Sequence, residues 1–399
     1  MEFILSLVLI IIATKFAGDL SVRLGQPAVL GKLLAGIILG PAVFNLIHDG
    51  QDGALIDMFA QIGVLLLMFI AGLETDIDQL RKNWLPSFAV AFGGIILPFI
   101  GGYGLAVALN LSQTHALFIG ILLCATSVSI TVQTLKEMNQ LNSREGTTIL
   151  GAAVVDDIVV VILFAVMMSL LGTGEAVSIP LMITKKVVFF AVIIALSWFV
   201  VPFVLKLMSK LKVTEGIMSA GLLLCLGFSY FAEFMGVAGI IGAFAAGLAI
   251  SRTEYQKTIE TKVEPIAYTL FVPVFFVSIG LDVTFGGLSN QLLFIVLLTI
   301  VAVFTKLIGG GIGARLTGFN ARESIAIGAG MVSRGEVALI IAASGLAAGL
   351  LPEEYFTSVV LVIILTTLIT PPLIKMVFQS KSKIEDTHNT NSKQVEIDQ

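Results

Sequence analysis

Residues 146 to 172 form one apolar stretch, which reads GTTILGAAVVDDIVVVILFAVMMSLLG. It is long and apolar enough to cross a membrane as a helix, because about 20 apolar residues span the hydrocarbon core. Asp156 and Asp157 lie side by side near its middle. An ionisable group at that depth is costly and is a candidate for function by default. The stretch therefore predicts a membrane helix that carries a polar site.

The composition of the whole chain also indicates that the protein lies in a lipid bilayer. Of its 399 residues, 57% are hydrophobic and 13% are charged, and the mean hydropathy is +1.02. Soluble domains carry about 25% charged residues, so this chain has too few charges to cover a surface in water. No basic stripe is present, which excludes a nucleic-acid partner. Cys124 and Cys225 lie in apolar runs and are expected to be packing residues. We predict an all-α protein of the lipid bilayer.

Apolar runs of spanning length follow one another along the chain. The terminal runs give two further expectations. Met1 to Ala17 has no basic start and no cleavage site, so we interpret it as a retained first helix. Residues 1–378 would form the transmembrane domain, and residues 379–399 a short disordered cytoplasmic tail.

We predict about 13 transmembrane helices, near residues 2–20, 27–42, 56–73, 85–107, 115–136, 146–172, 180–206, 215–232, 236–251, 262–281, 289–315, 321–348 and 354–378.

The loops between these runs alternate in charge. One set contains no lysine or arginine and reads HDGQDGA, NLSQTH, GTGEA, AEFMGV, LDVTFGGLSN and GLLPEE. The alternate set is basic and includes Arg23, Lys32, Arg81, Lys82, Lys136, Arg144, Lys206, Arg252, Lys257, Arg315 and Arg322. Basic loops stay in the cytoplasm, so the N-terminus is expected outside and the C-terminus inside. Lys185 and Lys186, near an outer end, are expected to snorkel to the headgroups.

Several charges recur at one depth of the membrane. Asp156, Lys306 and Arg334 lie about nine to twelve residues from the basic ends of their runs, or roughly 14–18 Å from the cytoplasmic face. This is near the midplane of a core about 30 Å thick. Asp156 and Asp157 repel each other, and one lysine cannot neutralise both, so the pair favours a cation or a proton. For Arg334 and Glu336, a purely structural network is an equally good interpretation.

Two of the predicted helices carry interruptions. The fifth contains ATSVSIT at residues 125–131, with hydroxyls at Thr126 and Ser127, and the twelfth contains GAGMVSRGE at residues 328–336. Both segments could be unwound and expose carbonyls and half-helix ends to a cavity. A continuous helix, with Ser and Thr bonded to the preceding turn, is the alternative for the fifth.

The order of the spans indicates an inverted-topology repeat. The two interrupted helices stand seven spans apart, as do 85–107 and 289–315, and 146–172 and 354–378. Seven is odd, so corresponding helices run in opposite directions. Such repeats place a substrate site where the broken helices cross.

Several motifs resemble bacterial cation:proton antiporters of the Kef and NapA kind, and the NapA-type sodium/proton antiporters most. They are Leu67–Thr75, Ala125–Thr131 with Gly151–Asp157, Phe271–Phe276 with Gly280, and Ser333–Val337. The similarity extends from about residue 20 to residue 375. The resemblance implies an NhaA/NapA-like fold in a bacterial inner membrane. A core domain would move against a dimerisation domain in a homodimer.

The resemblance also implies roles for three residues. Asp157 would bind the cation, and Lys306 would pair with Asp156. From the residues themselves, Asp156 and the oxygens near Thr126 and Ser127 are further candidate ligands, because a dehydrated sodium ion needs several hard oxygens. A proton and a sodium ion would then compete for one site.

The expected function is therefore electrogenic exchange of protons for Na⁺, or also Li⁺, serving pH and sodium homeostasis. We expect a transporter rather than an enzyme, with no cofactor, and no ATP-binding motif GxxxxGK[ST] is present. A potassium/proton antiporter is one alternative, because potassium also suits carboxylate oxygens. A cation channel or a membrane sensor is an alternative of another class.

Overall fold

The computed structural model describes residues 2–24, 26–47, 51–171, 179–281 and 291–397. In this part of the chain the secondary structure is helical. The helices are α1 Glu2–Arg23, α2 Ala28–Leu39, α3 Gln51–Glu74, α4 Ile77–Lys82, α5 Trp84–Ala108, α6 Gln113–Cys124, α7 Val128–Glu137, α8 Arg144–Leu171, α9 Ile179–Met208, α10 Gly216–Phe234, α11 Gly239–Ile250, α12 Gln256–Ile266, α13 Val272–Leu281, α14 Leu292–Leu316, α15 Ala321–Gly330, α16 Glu336–Ala347 and α17 Glu353–Ile397.

Ten helical segments of the described chain are long and apolar enough to cross a membrane. Three further apolar helices are shorter, namely α2, α11 and residues Val337–Leu346 within α16. Each predicted run contains helix, but three of the elements are short, so the count of 13 spans remains a proposal. The protein is an all-helical membrane protein.

Both interrupted segments are breaks in the structure. α6 ends at Cys124 and α7 begins at Val128, and α15 ends at Gly330 before α16 begins at Glu336. The alternative of a continuous fifth helix is therefore wrong. The backbone of α17 is helical to Ile397, and a disordered tail over residues 379–399 remains a prediction. The side chains from residue 379 onward lie outside the described part.

Two elements were not predicted. The short helix α4 begins after Asp76, whose carboxylate accepts hydrogen bonds from the N–H groups of Asp78 and Gln79. A π-helical turn over Ala267–Phe271 separates α12 from α13, and within it the Val272 N–H reaches the carbonyl of Ala267. Pro273 follows Val272 and has no N–H to donate to the preceding turn.

The long helices pack as two groups. The core group consists of α5, α6, α7, α8, α14, α15, α16 and α17, and the scaffold group of α1, α2, α3, α10, α11, α12 and α13. Helix α9 follows the core group in the chain and packs on α8, α10 and α11. Helix α7 of the core group contacts both α2 and α3. We call the end of the molecule with Arg144 and Arg252 the inner end.

Glycines let helices touch through their backbones in each group. In the core group, a Cβ on Gly93 of α5 would lie 2.2 Å from the carbonyl oxygen of Gly309 of α14, and a Cβ on Gly309 would lie 2.2 Å from that of Gly93. In the scaffold group, Gly72 of α3 and Gly247 of α11 would meet carbonyl oxygens at 2.2 and 2.1 Å. Small residues permit such close approach where van der Waals packing drives helix association.

We expect Gly93→Ala to lower the free energy of unfolding by about 2 kcal/mol, because the added methyl must push α5 away from α14. Gly104→Ala on the same helix is the matched control, since a Cβ there meets no atom within 4 Å. Equilibrium unfolding in mixed micelles of dodecyl maltoside and sodium dodecyl sulfate measures both. Equal stability of the two variants would contradict the close packing of α5 on α14.

Candidate functional site

The two breaks cross and bond to each other. The Ser127 N–H donates to the carbonyl of Ser333 at 2.7 Å, and the Ser333 hydroxyl donates to the carbonyl of Ser127 at 2.7 Å. The Thr131 hydroxyl donates to the carbonyl of Gly330, the last residue of α15, at 2.7 Å. Buried backbone groups need such partners, and here each break supplies them to the other.

Arg334 ties the crossing to three helices. Its side chain is fully buried, and it donates to the carbonyls of Leu123 at 2.8 Å, Ala302 at 3.1 Å and Val332 at 3.0 Å. Its own carbonyl accepts a hydrogen bond from the Thr367 hydroxyl of α17. Leu123 lies in the last turn of α6, where the helix dipole is negative, so the guanidinium stabilises a half-helix end inside the membrane.

Asp156 is the centre of a buried polar cluster. Both Asp156 and Lys306 have no solvent exposure, and the Lys306 ammonium lies 2.9 Å from Asp156 Oδ2. The same oxygen accepts a hydrogen bond from the Thr126 hydroxyl, in the first break. A buried carboxylate needs this much compensation. Asp156 of α8 is therefore held by Lys306 of α14 and by Thr126 in the break between α6 and α7.

Asp157 points in a different direction from its neighbour. Successive residues on a helix are about 100° apart, so Asp157 does not share the face that Asp156 turns toward α14. It is 4% exposed and interacts electrostatically with Lys186 of α9. Asp157 is therefore placed on the side of the core group that faces α9.

The structure distributes the other predicted site residues as follows. It brings Thr126 to Asp156, and it brings Ser127 to Ser333 of the facing break. Glu336 begins α16, but its side chain lies outside the described part, so the prediction for it remains a prediction.

The expectation for Lys186 is wrong. Lys185 is exposed, as a snorkelling residue should be, but Lys186 is only 4% exposed. Its ammonium donates to the carbonyl of Gly236, between α10 and α11, at 2.8 Å. The two adjacent lysines lie at nearly the same membrane depth, so depth could not distinguish their environments. They differ because their side chains lie about 100° apart around the helix.

Sequence reasoning also missed the roles of three hydroxyls, those of Thr131, Ser333 and Thr367. A signal was present for the first, because Thr126, Ser127, Ser129 and Thr131 place four hydroxyls within six residues. Thr367 lies in a helix with no interruption, and nothing in its local sequence indicates its partner.

Comparisons with known proteins show the family of the chain. Residues 5–380 match the family described as sodium/hydrogen exchanger, transmembrane. The chain is 61% identical over 378 residues to the probable Na⁺/H⁺ antiporter GerT of Bacillus cereus, covering 95% of this chain and 100% of that relative. It is 58% identical over 382 residues to the Na⁺/H⁺-K⁺ antiporter GerN of the same species, covering 96% and 98%. A Na⁺/H⁺ antiporter of Enterococcus hirae is 44% identical over 378 residues, covering 94% and 98%.

The fold is that of a solved antiporter structure. The sodium/proton antiporter MjNhaP1 from Methanocaldococcus jannaschii superimposes with a TM-score of 0.69 at 17% identity, over 96% of this chain and 98% of that chain. The family match is to sodium/hydrogen exchangers in general, and it does not support the narrower assignment to the Kef or NapA kind. With a family match over nearly its whole length, the chain belongs to the family of transmembrane sodium/hydrogen exchangers and is a multi-pass membrane transporter.

Proposed function

We propose that the protein is a secondary antiporter that exchanges protons for Na⁺, with Li⁺ as a further substrate. The observation that carries the proposal is the pair of adjacent buried carboxylates beside two crossing broken helices. Asp156 is compensated by Lys306 and Thr126, while Asp157 lies on the side of α8 that faces α9. A site of this kind offers oxygen ligands to a small cation at the depth where transporters bind substrate.

The architecture that we propose is finer than the family assignment. Thirteen spans would form an inverted-topology repeat in an NhaA/NapA-like arrangement, in residues 1–378, followed by the tail of residues 379–399. The matching breaks between α6 and α7 and between α15 and α16 support this repeat. The core group would move against the scaffold group, and the scaffold groups of two copies would form a homodimer.

The membrane orientation is also a proposal. The alternation of basic loops supports an outer N-terminus and a cytoplasmic C-terminus in a bacterial plasma membrane. In that setting, exchange would serve pH and sodium homeostasis. The inner end of the molecule would then face the cytoplasm.

The proposed mechanism couples two ions through one site. Without sodium, Lys306 pairs with Asp156. Sodium binding at Asp157 recruits Asp156 and releases the lysine, which loses its proton in dry surroundings. Asp157 gives up a second proton, so two protons exchange for one sodium ion, and the exchange moves net charge. Only a loaded site has its charge compensated enough to cross the membrane barrier, which couples the two movements.

Purified protein in proteoliposomes tests the function and its alternatives. Sodium, lithium and potassium are each applied against a pH gradient, and coupled proton movement with sodium supports the proposal. Exchange with potassium alone would favour the potassium/proton antiporter, to which the name of the relative GerN gives weight. Unitary conductance would indicate a channel, and absence of flux a sensor.

We expect the apparent affinity for sodium to strengthen as pH rises and then to level off. In the proposed scheme the proton on Asp157 and the proton on Lys306 both leave when sodium binds. Half-saturating sodium should therefore fall by about tenfold per pH unit for each of the two protons that is still released. Initial rates measured from roughly pH 6 to pH 9 bracket a titration near neutrality. A flat profile over this window would rule out a shared site for the two ions there.

A further inference from the structure

Lys136 and Glu137, the last two residues of α7, carry opposite charges and bond to different helices of the scaffold group. The Lys136 ammonium lies 2.7 Å from Glu74 Oε1 at the end of α3 and 2.9 Å from Glu264 Oε1 of α12. It also lies 4.7 Å from the centre of the Tyr268 ring. One lysine of the core group therefore joins two scaffold helices.

Glu137 holds a third scaffold helix. Its Oε2 accepts a hydrogen bond from the Ala28 N–H at 2.7 Å, and the Lys32 ammonium lies 4.0 Å from its Oε1. Ala28 is the first residue of α2, and the preceding Pro27 provides no side-chain cap. A carboxylate at a helix N-terminus satisfies an orphan N–H and complements the dipole. The core group thus supplies the cap of a scaffold helix.

These contacts lie on the element that leads directly to the site. Helix α7 runs only ten residues, from Val128 at the first break to Glu137. Thr131, one turn into it, bonds to the facing break. A displacement at Lys136 is therefore carried to the crossing by a single short helix.

We propose that Lys136 and Glu137 are positioning residues that lock the core group to the scaffold group at the inner end. This inference rests on the proposed function, because a carrier must open its site to one side at a time. Moving α7 along α2 and α3 separates Lys136 from its two glutamates and Glu137 from its cap. Lys136 and Glu137 have opposite charges. If α7 shifts by one residue, neither side chain can therefore bind the partners of the other. The lock must therefore open in every cycle.

The chain provides a matched control for the lock. The Lys262 ammonium lies 2.7 Å from Glu215 Oε2, in a pair of the same residue types as Lys136 and Glu264. Lys262 is on α12, and Glu215 precedes α10, so this pair joins scaffold elements alone. It should stay closed during transport.

Reversible cross-linking tests whether the lock must open. Ala28→Cys with Glu137→Cys, and as control Glu215→Cys with Lys262→Cys, are made with the buried Cys124 and Cys225 changed to alanine. A short bis-methanethiosulfonate reagent should stop sodium/proton exchange in the first pair by at least tenfold, and reductant should restore it. The control pair should keep its rate when linked.

The outcomes separate this inference from the proposed function. Exchange that persists in the fully linked first pair would overturn the lock and leave the antiporter intact. If the protein with Cys124 and Cys225 changed to alanine, and no new cysteine, shows no exchange, the proposed function is overturned, and the lock with it.

Substitution of Lys136 gives a second readout. Lys136→Gln should shift half-saturating sodium by about tenfold, because it changes the balance between the two orientations of the core group. Lys136→Arg should restore the parent value, and Lys262→Gln should not differ from the parent. Equal effects of Lys136→Gln and Lys262→Gln on half-saturating sodium, in equally stable proteins, would reduce Lys136 to a structural partner.

Discussion

Asp157→Asn is expected to abolish sodium/proton exchange while leaving the protein folded and inserted. The side chain is 4% exposed and faces α9 rather than the Lys306 cluster, so an amide of the same shape should be accommodated. The amide can neither carry the negative charge that binds sodium nor take up a proton. We expect a loss of at least about 100-fold in initial rate, because one group serves both ions. Proteoliposomes with a sodium gradient and an internal pH dye measure the rate.

A matched change elsewhere controls for loss of charge. Asp19→Asn on α1 also removes one carboxylate, but Asp19 is exposed and its partner is Arg23, at 2.8 Å on the same helix. Exchange should be unaffected there. Normal sodium-driven proton movement in Asp157→Asn would refute the assignment of the cation site.

Lys306→Gln is expected to remove the net charge movement of exchange, or to stop exchange altogether. If Lys306 releases one of two protons per cycle, its removal leaves one proton per sodium ion. The change also leaves Asp156 buried without its ammonium, so the free energy of unfolding should fall by about 3–5 kcal/mol. Asp156→Asn combined with Lys306→Gln should recover most of this loss. Currents on a supported membrane, compared with sodium uptake under clamped voltage, decide the stoichiometry.

Thr126→Val provides the control for this second prediction. Thr126 and Lys306 bond to the same oxygen of Asp156, but threonine has no proton to exchange. Its loss should change stability without changing the charge moved per sodium ion. If uptake by the unmodified protein is indifferent to voltage, exchange is one for one and Lys306 is a structural partner.

The predictions that were confirmed concern features that the lipid environment constrains. A membrane accepts few conformations of a backbone, so the breaks at residues 125–127 and 331–335 could be inferred from hydroxyls, glycines and charges alone. The shared mid-depth of Asp156 and Lys306 could be inferred from the sequence, where a charge needs a partner, and their pairing was implied by the family resemblance. Whether these residues carry ions remains a prediction.

The features that were missed depend on direction around a helix rather than on depth. Lys186 turns inward where Lys185 turns outward, and Arg334 donates to backbone carbonyls that the sequence did not identify. The local sequence does not encode these side-chain directions, because they depend on which helix packs opposite. The π-helical turn before Pro273 is also set by local backbone geometry that a count of apolar residues does not detect.

The reciprocal bonding of the two breaks has a consequence for how fast the site can fill. Ser127 and Ser333 hold each other through two hydrogen bonds, so the unwound backbone is already ordered before an ion arrives. A preorganised site spends little binding free energy on ordering its own groups. The rate of ion capture at Asp157 should therefore follow the access of water to the site, with no slow rearrangement of the loop between α6 and α7.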